Sequence, residues 1–102
     1  MADLVVTRWR DIPSMVTVKR GRKSAKRELS LRFTEAIDAC AMRVGARDSD
    51  AYLAEWVRSE PVAVGDDLEA EAEAAAARIE TEYDRARLAA LVKGDGREET
   101  KP

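Results

Sequence analysis

The sequence predicts an α+β domain: an N-terminal antiparallel β-hairpin packed against three helices, the last of them long. Three observations carry this. Two short runs of strand-forming residues, 4–7 and 16–18, flank the punctuation Asp11-Ile12-Pro13-Ser14. Apolar residues then recur at helical spacing from Phe33 to Val44. Finally, residues 68–93 form an alanine- and glutamate-rich stretch whose alanines are strong helix formers.

The first strand covers residues 3–10 and the second 15–20, where Val16 and Val18 alternate with Thr17 and Lys19. Proline fixes its own φ and lacks an N–H, so Pro13 marks the connection. Gly21 ends or bulges the second strand. Residues 22–28 read as a basic loop or the start of a helix. Ser30 is a candidate N-cap. Phe33, Ala36, Ile37, Cys40, Ala41 and Val44 form one face of the first helix, which Gly45 stops. Asp48-Ser49-Asp50 caps a shorter helix reaching about Ser59, with Tyr52 or Leu53, Trp56 and Val57 inward. Residues 61–64 fit a short third strand. The long helix then buries Leu68, Ala72, Ala75, Ile79, Tyr83, Ala86 and Ala90, with Asp67 and Glu69 near its positive end. Its outer face carries Glu71, Glu82 and Arg85. Residues 1–94 are expected to form a single domain and residues 95–102 a disordered tail.

A chain of 102 residues fits one domain. Its net charge is only −2, yet the halves differ. Residues 1–47 hold eleven Lys/Arg and five Asp/Glu, net +6; residues 48–102 hold seven and fifteen, net −8. Such asymmetry suits an acidic partner for the basic half, or attraction between the halves within the fold. No apolar run approaches a membrane span, and the N-terminus reads directly as structure with no signal-peptide core. A cytoplasmic protein without membrane association is expected.

Catalytic chemistry finds little to stand on. Histidine is absent, so there is no triad and no neutral-pH imidazole base. The segment Lys19-Arg20-Gly21-Arg22-Lys23-Ser24 has one glycine and no phosphate-loop spacing. Cys40, the only cysteine, lies on the apolar stripe of its helix and reads as buried structure. Neither a disulfide nor a zinc site fits this composition. A protein that is not an enzyme, with no metal or other cofactor, is expected.

The strongest functional signal is basic. Lys19, Arg20, Arg22, Lys23, Lys26 and Arg27 place six cations in nine residues, enough to contact phosphates or carboxylates. The same run also suits a solvated sheet edge that resists strand-to-strand aggregation. No aromatic lies within it for base stacking, which weakens a nucleic-acid reading. A second feature is Arg8-Trp9-Arg10-Asp11-Ile12-Pro13, an anchor-like composition beside a turn. In strict alternation Trp9 shares a face with Val5 and belongs to the core, leaving Arg8, Arg10 and Asp11 for surface contact. These nine polar residues are the candidate partner- or anion-binding set, expected to stay exposed and to gather on one surface.

Trp9-Arg10-Asp11-Ile12-Pro13, Val18-Lys19-Arg20-Gly21-Arg22, Phe33 with Glu35-Ala36-Ile37-Asp38, Ala41-Met42-Arg43, and Asp50-Ala51-Tyr52-Leu53 with Trp56 together resemble the small bacterial "virulence factor" domain family. The resemblance covers about residues 3–92; its specific part is the Trp-Arg-Asp-Ile-Pro and Lys-Arg-Gly-Arg segments. It carries over no catalytic residue. It implies an accessory role beside corrinoid- and methyltetrahydrofolate-dependent methyl transfer, hence a cytosolic protein partner such as a methyltransferase or corrinoid protein. A nucleic-acid-binding regulator using the same cations is the alternative.

Overall fold

The structure, a computed structural model, describes residues 2–45 and 50–97. It is α+β. Five strands and four helices run in the order β1 (Ala2–Trp9), β2 (Ile12–Arg20), β3 (Lys23–Glu28), α1 (Leu31–Arg43), α2 (Asp50–Ala54), β4 (Trp56–Arg58), β5 (Val62–Val64), α3 (Leu68–Glu82) and α4 (Arg85–Lys93). The sheet order is β3-β2-β1-β4, with β5 also on β1, and every pairing is antiparallel.

Side chains alternate across a strand. Ala2, Leu4 and Val6 of β1, Val16 and Val18 of β2, and Ala25 of β3 are buried against α1 and α3. The core face is therefore the one with Val6, not Val5. Between Thr7 and Arg8 the register slips by one residue, Ser14 being the extra one on β2. Beyond this bulge simple alternation ends: Trp9, Ile12 and Pro13 are all fully buried. Trp9 is thus a core residue, as its size suggests.

Residues 22–28 are neither loop nor helix start. Lys23–Glu28 pairs along β2 from Arg20↔Lys23 to Met15↔Glu28 and buries only Ala25. Lysine and glutamate favour strands weakly, but an edge strand needs little burial and gains solubility from charge. The second helix is also shorter than expected; Asp48 and Ser49 of its expected cap lie outside the described residues. It ends at Ala54, and Trp56–Arg58 forms β4 on the free edge of β1. Spacing alone does not separate helix from strand in so short an apolar run; the unpaired edge of β1 decides it. Residues 61–64 do contain the third strand of the sequence reading, β5.

β4 and β5 are two halves of one edge. Between them, Val6 N–H donates to Ser59 Oγ (2.9 Å) and Ser59 N–H donates to Val6 O (2.9 Å). The serine hydroxyl continues the ladder across a kink that ends at Pro61.

The expected long helix is two. Tyr83 leaves helical geometry, and Asp84 caps α4 by accepting from Arg87 N–H at 2.8 Å. The break resets the helical phase, so Leu88 and Leu91 are buried rather than Ala86 and Ala90. Arg32 on α1 holds the end of α3: its Nη2 donates to the carbonyls of Glu80 (2.6 Å) and Tyr83 (3.1 Å), meeting the orphan carbonyls that every helix end leaves. Ser30 takes the N-cap position of α1, but its hydroxyl goes to Glu80 and caps no helical N–H.

Phe33, Ile37 and Cys40 are buried in α1, while Val44 is only half-buried at its end. Gly45 follows with φ 72°, the left-handed stop that the sequence suggests. Ile37→Ala is expected to cost about 2–5 kcal/mol. An unchanged thermal midpoint for that variant would remove Ile37 from the core.

Candidate functional site: the basic hairpin

β2 and β3 join through the two-residue turn Gly21-Arg22, in which Gly21 has φ 60°. Glycine reaches this region without the steric cost a side chain adds, and a first turn residue of positive φ matches the twist of paired strands. The turn projects a concentrated cationic tip. Lys19, Arg20, Arg22, Lys23 and Lys26 are exposed and Arg27 is half-exposed. Two of the six are paired with residues at the start of α3: Arg20 with Asp66 at 3.9 Å, and Arg27 with Glu69. The acidic half does fold back on the basic half, here and again at Arg10–Glu55, Arg32–Glu80 and Arg43–Asp95, but within the hairpin cluster it reaches only Arg20 and Arg27. Among the described residues, Lys19, Arg22, Lys23 and Lys26 form no ion pair.

Strand register sets out the face turned away from the core. One row across it is Ala63, Asp3, Lys19, Ser24; the next is Val5, Thr17, Lys26; the third is Arg58, Thr7, Met15, Glu28. None of these side chains is aromatic.

Arg8, Arg10 and Asp11 do not join this cluster. They stand at the other end of β1–β2, where Arg8 pairs with Pro13, whereas Lys19 pairs with Asp3. At ~3.4 Å per residue along β2 the two groups are about 20 Å apart. The expected single surface is therefore two sites, and the second is a lock. Arg10 has φ 54° and turns its side chain inward. Its Nη1 donates to the Asp95 carbonyl (2.6 Å) and its Nη2 to Glu55 Oε2 (3.2 Å), while the guanidinium lies 5.2 Å from the Trp9 ring centre. Its backbone N–H donates to Glu55 O (3.1 Å), and that of Asp11 to Gly96 O (2.7 Å). Arg97 adds a contact to Glu55 at 3.2 Å, and Arg43 reaches Asp95 at 3.0 Å. Asp95, Gly96 and Arg97, read from sequence as tail, are thus tied to the hairpin's closed end; residues 98–102 lie outside the described residues. Glu55, Asp95 and Arg97 carry no local sequence signal, since they meet Arg10 only through the fold.

Cys40 is buried beneath this lock. A Cβ built on Gly96 would stand 2.9 Å from Arg10 Cδ and 3.1 Å from Cys40 Sγ. Burial pushes the Cys40 thiol above its ordinary pKa, although Arg10 pulls the other way. The arrangement disfavours thiolate and nucleophilic use. Among the described residues, no group of three or more His, Cys, Asp or Glu side chains is placed to hold a metal ion, and no helix is long and apolar enough to cross a membrane.

A family model described as "Virulence factor" matches residues 7–92, which span both ends of the hairpin and all four helices. The chain belongs to the virulence factor family. Searches of curated proteins and of solved structures returned no match. The virulence factor description names an outcome and no reaction.

Proposed function

We propose that this chain is a non-catalytic accessory protein that docks on a protein partner through the β2–β3 hairpin. One observation carries the reading: Lys19, Arg22, Lys23 and Lys26 are exposed and form no ion pair among the described residues, beside two cations that α3 already neutralises. Charges held together on a rigid strand pair, unneutralised from within, select a partner of opposite sign.

The same geometry favours protein over nucleic acid. Single strands are held by stacking on aromatic side chains, and here those side chains are engaged elsewhere. Trp9, Phe33 and Tyr83 are buried, and Tyr52 lies between Trp9 and Trp56 at centroid distances of 5.7 and 6.0 Å. Asp66 and Glu69 beside the cations also oppose a long polyanion. The family resemblance directs the search to the cytosol and to corrinoid-dependent methyl transfer, so a methyltransferase or corrinoid protein is the first partner to try.

The test is capture from cytosol by tagged protein, with Arg22→Glu/Lys23→Glu alongside. That double variant should keep its melting temperature, because exposed changes usually shift stability by about 0.5 kcal/mol or less, and should lose its partner. A variant that captures the same partner as the parent would defeat the proposal. Tight capture of unrelated nucleic acids, weakening steeply with salt, would favour the regulator instead.

A further inference from the structure

The reading of the hairpin as a docking surface leaves open how the partner is held. β3 ends the sheet, so one side of its backbone faces no strand. Which groups face outward follows from the register. A two-residue connection makes Arg20 and Lys23 a hydrogen-bonded pair, and such pairs then alternate with non-bonded ones. Val18–Ala25 and Val16–Arg27 are therefore bonded pairs, and the series reaches Ser14–Leu29, where Leu29 N–H donates to Ser14 O at 3.0 Å. The backbone groups of Ser24, Lys26 and Glu28 point away from the sheet. Arg27 Nη1 occupies the Lys26 carbonyl at 2.8 Å. Among the described residues, the N–H groups of Ser24, Lys26 and Glu28 donate to nothing within the fold.

We infer that β3 is a strand-addition site for an extended acidic segment of a protein partner. An unpaired strand edge is a template for one more strand: backbone bonds supply affinity and alternate side chains supply selectivity. The side chains fix the sign. Arg22 at the turn, Lys23 on one face and Lys26 on the other bracket the edge, and all three are unpaired among the described residues. Aspartate or glutamate on an incoming strand meets a cation on either face. A second copy of this chain is disfavoured by the same charges, because antiparallel self-pairing that matches the outward groups of Ser24, Lys26 and Glu28 sets Lys26 against its own copy.

The probe is a fluorescein-labelled eight-residue peptide of alternating glutamate and valine, titrated into the intact protein, with the lysine–valine peptide as comparison. The acidic peptide should bind and the basic one should not. On binding, the amide protons of Ser24, Lys26 and Glu28 should become protected from hydrogen exchange, while those of Ala25 and Arg27, already bonded to β2, change little. Ser24→Pro keeps every charge and removes one outward donor at an edge position where proline is tolerated. It should weaken binding by about fivefold or more, the value of one hydrogen bond. No binding of the acidic peptide would overturn strand addition. Binding without protection at those three amides would also overturn it, while leaving charge-driven docking on the hairpin in place. Peptide-independent protection that grows with protein concentration would make the occupant a second copy and overturn the acidic-segment assignment.

Discussion

Trp9→Ala is expected to lower stability by about 3–5 kcal/mol, shifting the thermal midpoint of a domain this size by on the order of 20 °C. Trp9 is fully buried. Its indole N–H donates to the Tyr52 carbonyl at 2.9 Å, and its ring packs on Tyr52. Truncation leaves a large cavity, removes one of the two donors to the Tyr52 carbonyl, which keeps the Glu55 N–H at 3.3 Å, and strips the side chain from the Trp9↔Trp56 end of the β1–β4 pairing. Trp9→Phe separates these contributions: it keeps much of the volume and loses the donor, so about 1–2 kcal/mol is expected. Denaturant melts read both variants. Equal losses for alanine and phenylalanine would show that the hydrogen bond, and not packing, dominates.

Arg10→Ala is expected to cost about 2 kcal/mol, the scale of hydrogen bonds to a charged group, and to expose Cys40. Arg10 links the β1–β2 turn to Glu55 and to the Asp95 carbonyl, and its side chain lies against Gly96 above the thiol. Alanine deletes the charge-assisted bonds and leaves the strain of a Cβ at positive φ unchanged, so the loss reads the side-chain contacts alone. Arg10→Lys should restore little, because a point ammonium does not reproduce a planar fork with two separate acceptors. The distinguishing measurement is thiol labelling under native conditions: slow in the parent, markedly faster in Arg10→Ala. Labelling at the parent's slow rate would mean that Arg10 does not cover the thiol. The raised Cys40 pKa gives a sign for alkaline behaviour. The folded chain holds this proton more tightly than the unfolded chain, so the contribution is full below the ordinary thiol range and is lost as pH rises from there through the raised folded value.

The fold was legible wherever a pattern was local and long. The α1 face from Phe33 to Cys40 and the valines of β2 each repeat one period over several residues, and both are buried as that period demands. What escaped the sequence depends on distant partners. Trp56 and Val57 fit a helix until β1 offers an edge. Lys23–Glu28 has poor strand character and exists because β2 templates it. Asp84 is an N-cap by composition, yet the alanines around it continue the helical pattern and hide the break. For the site, the cations of the β2–β3 tip were evident as a run. Arg10 looked equally available, and only Glu55 and the turn at 94–96, both brought to it by the fold, show it engaged.

The two borders of the sheet are unequal, and this limits how the molecule assembles. β3 offers six continuous residues, whereas the opposite border is two three-residue pieces with a kink between them that ends at a proline. Short strands and proline are poor templates. A strand accepted at β3 therefore has no counterpart site across the sheet from which another chain could continue. On the strand-addition proposal a complex would close at one partner segment per chain, and the molecule would end a β-sheet rather than propagate one.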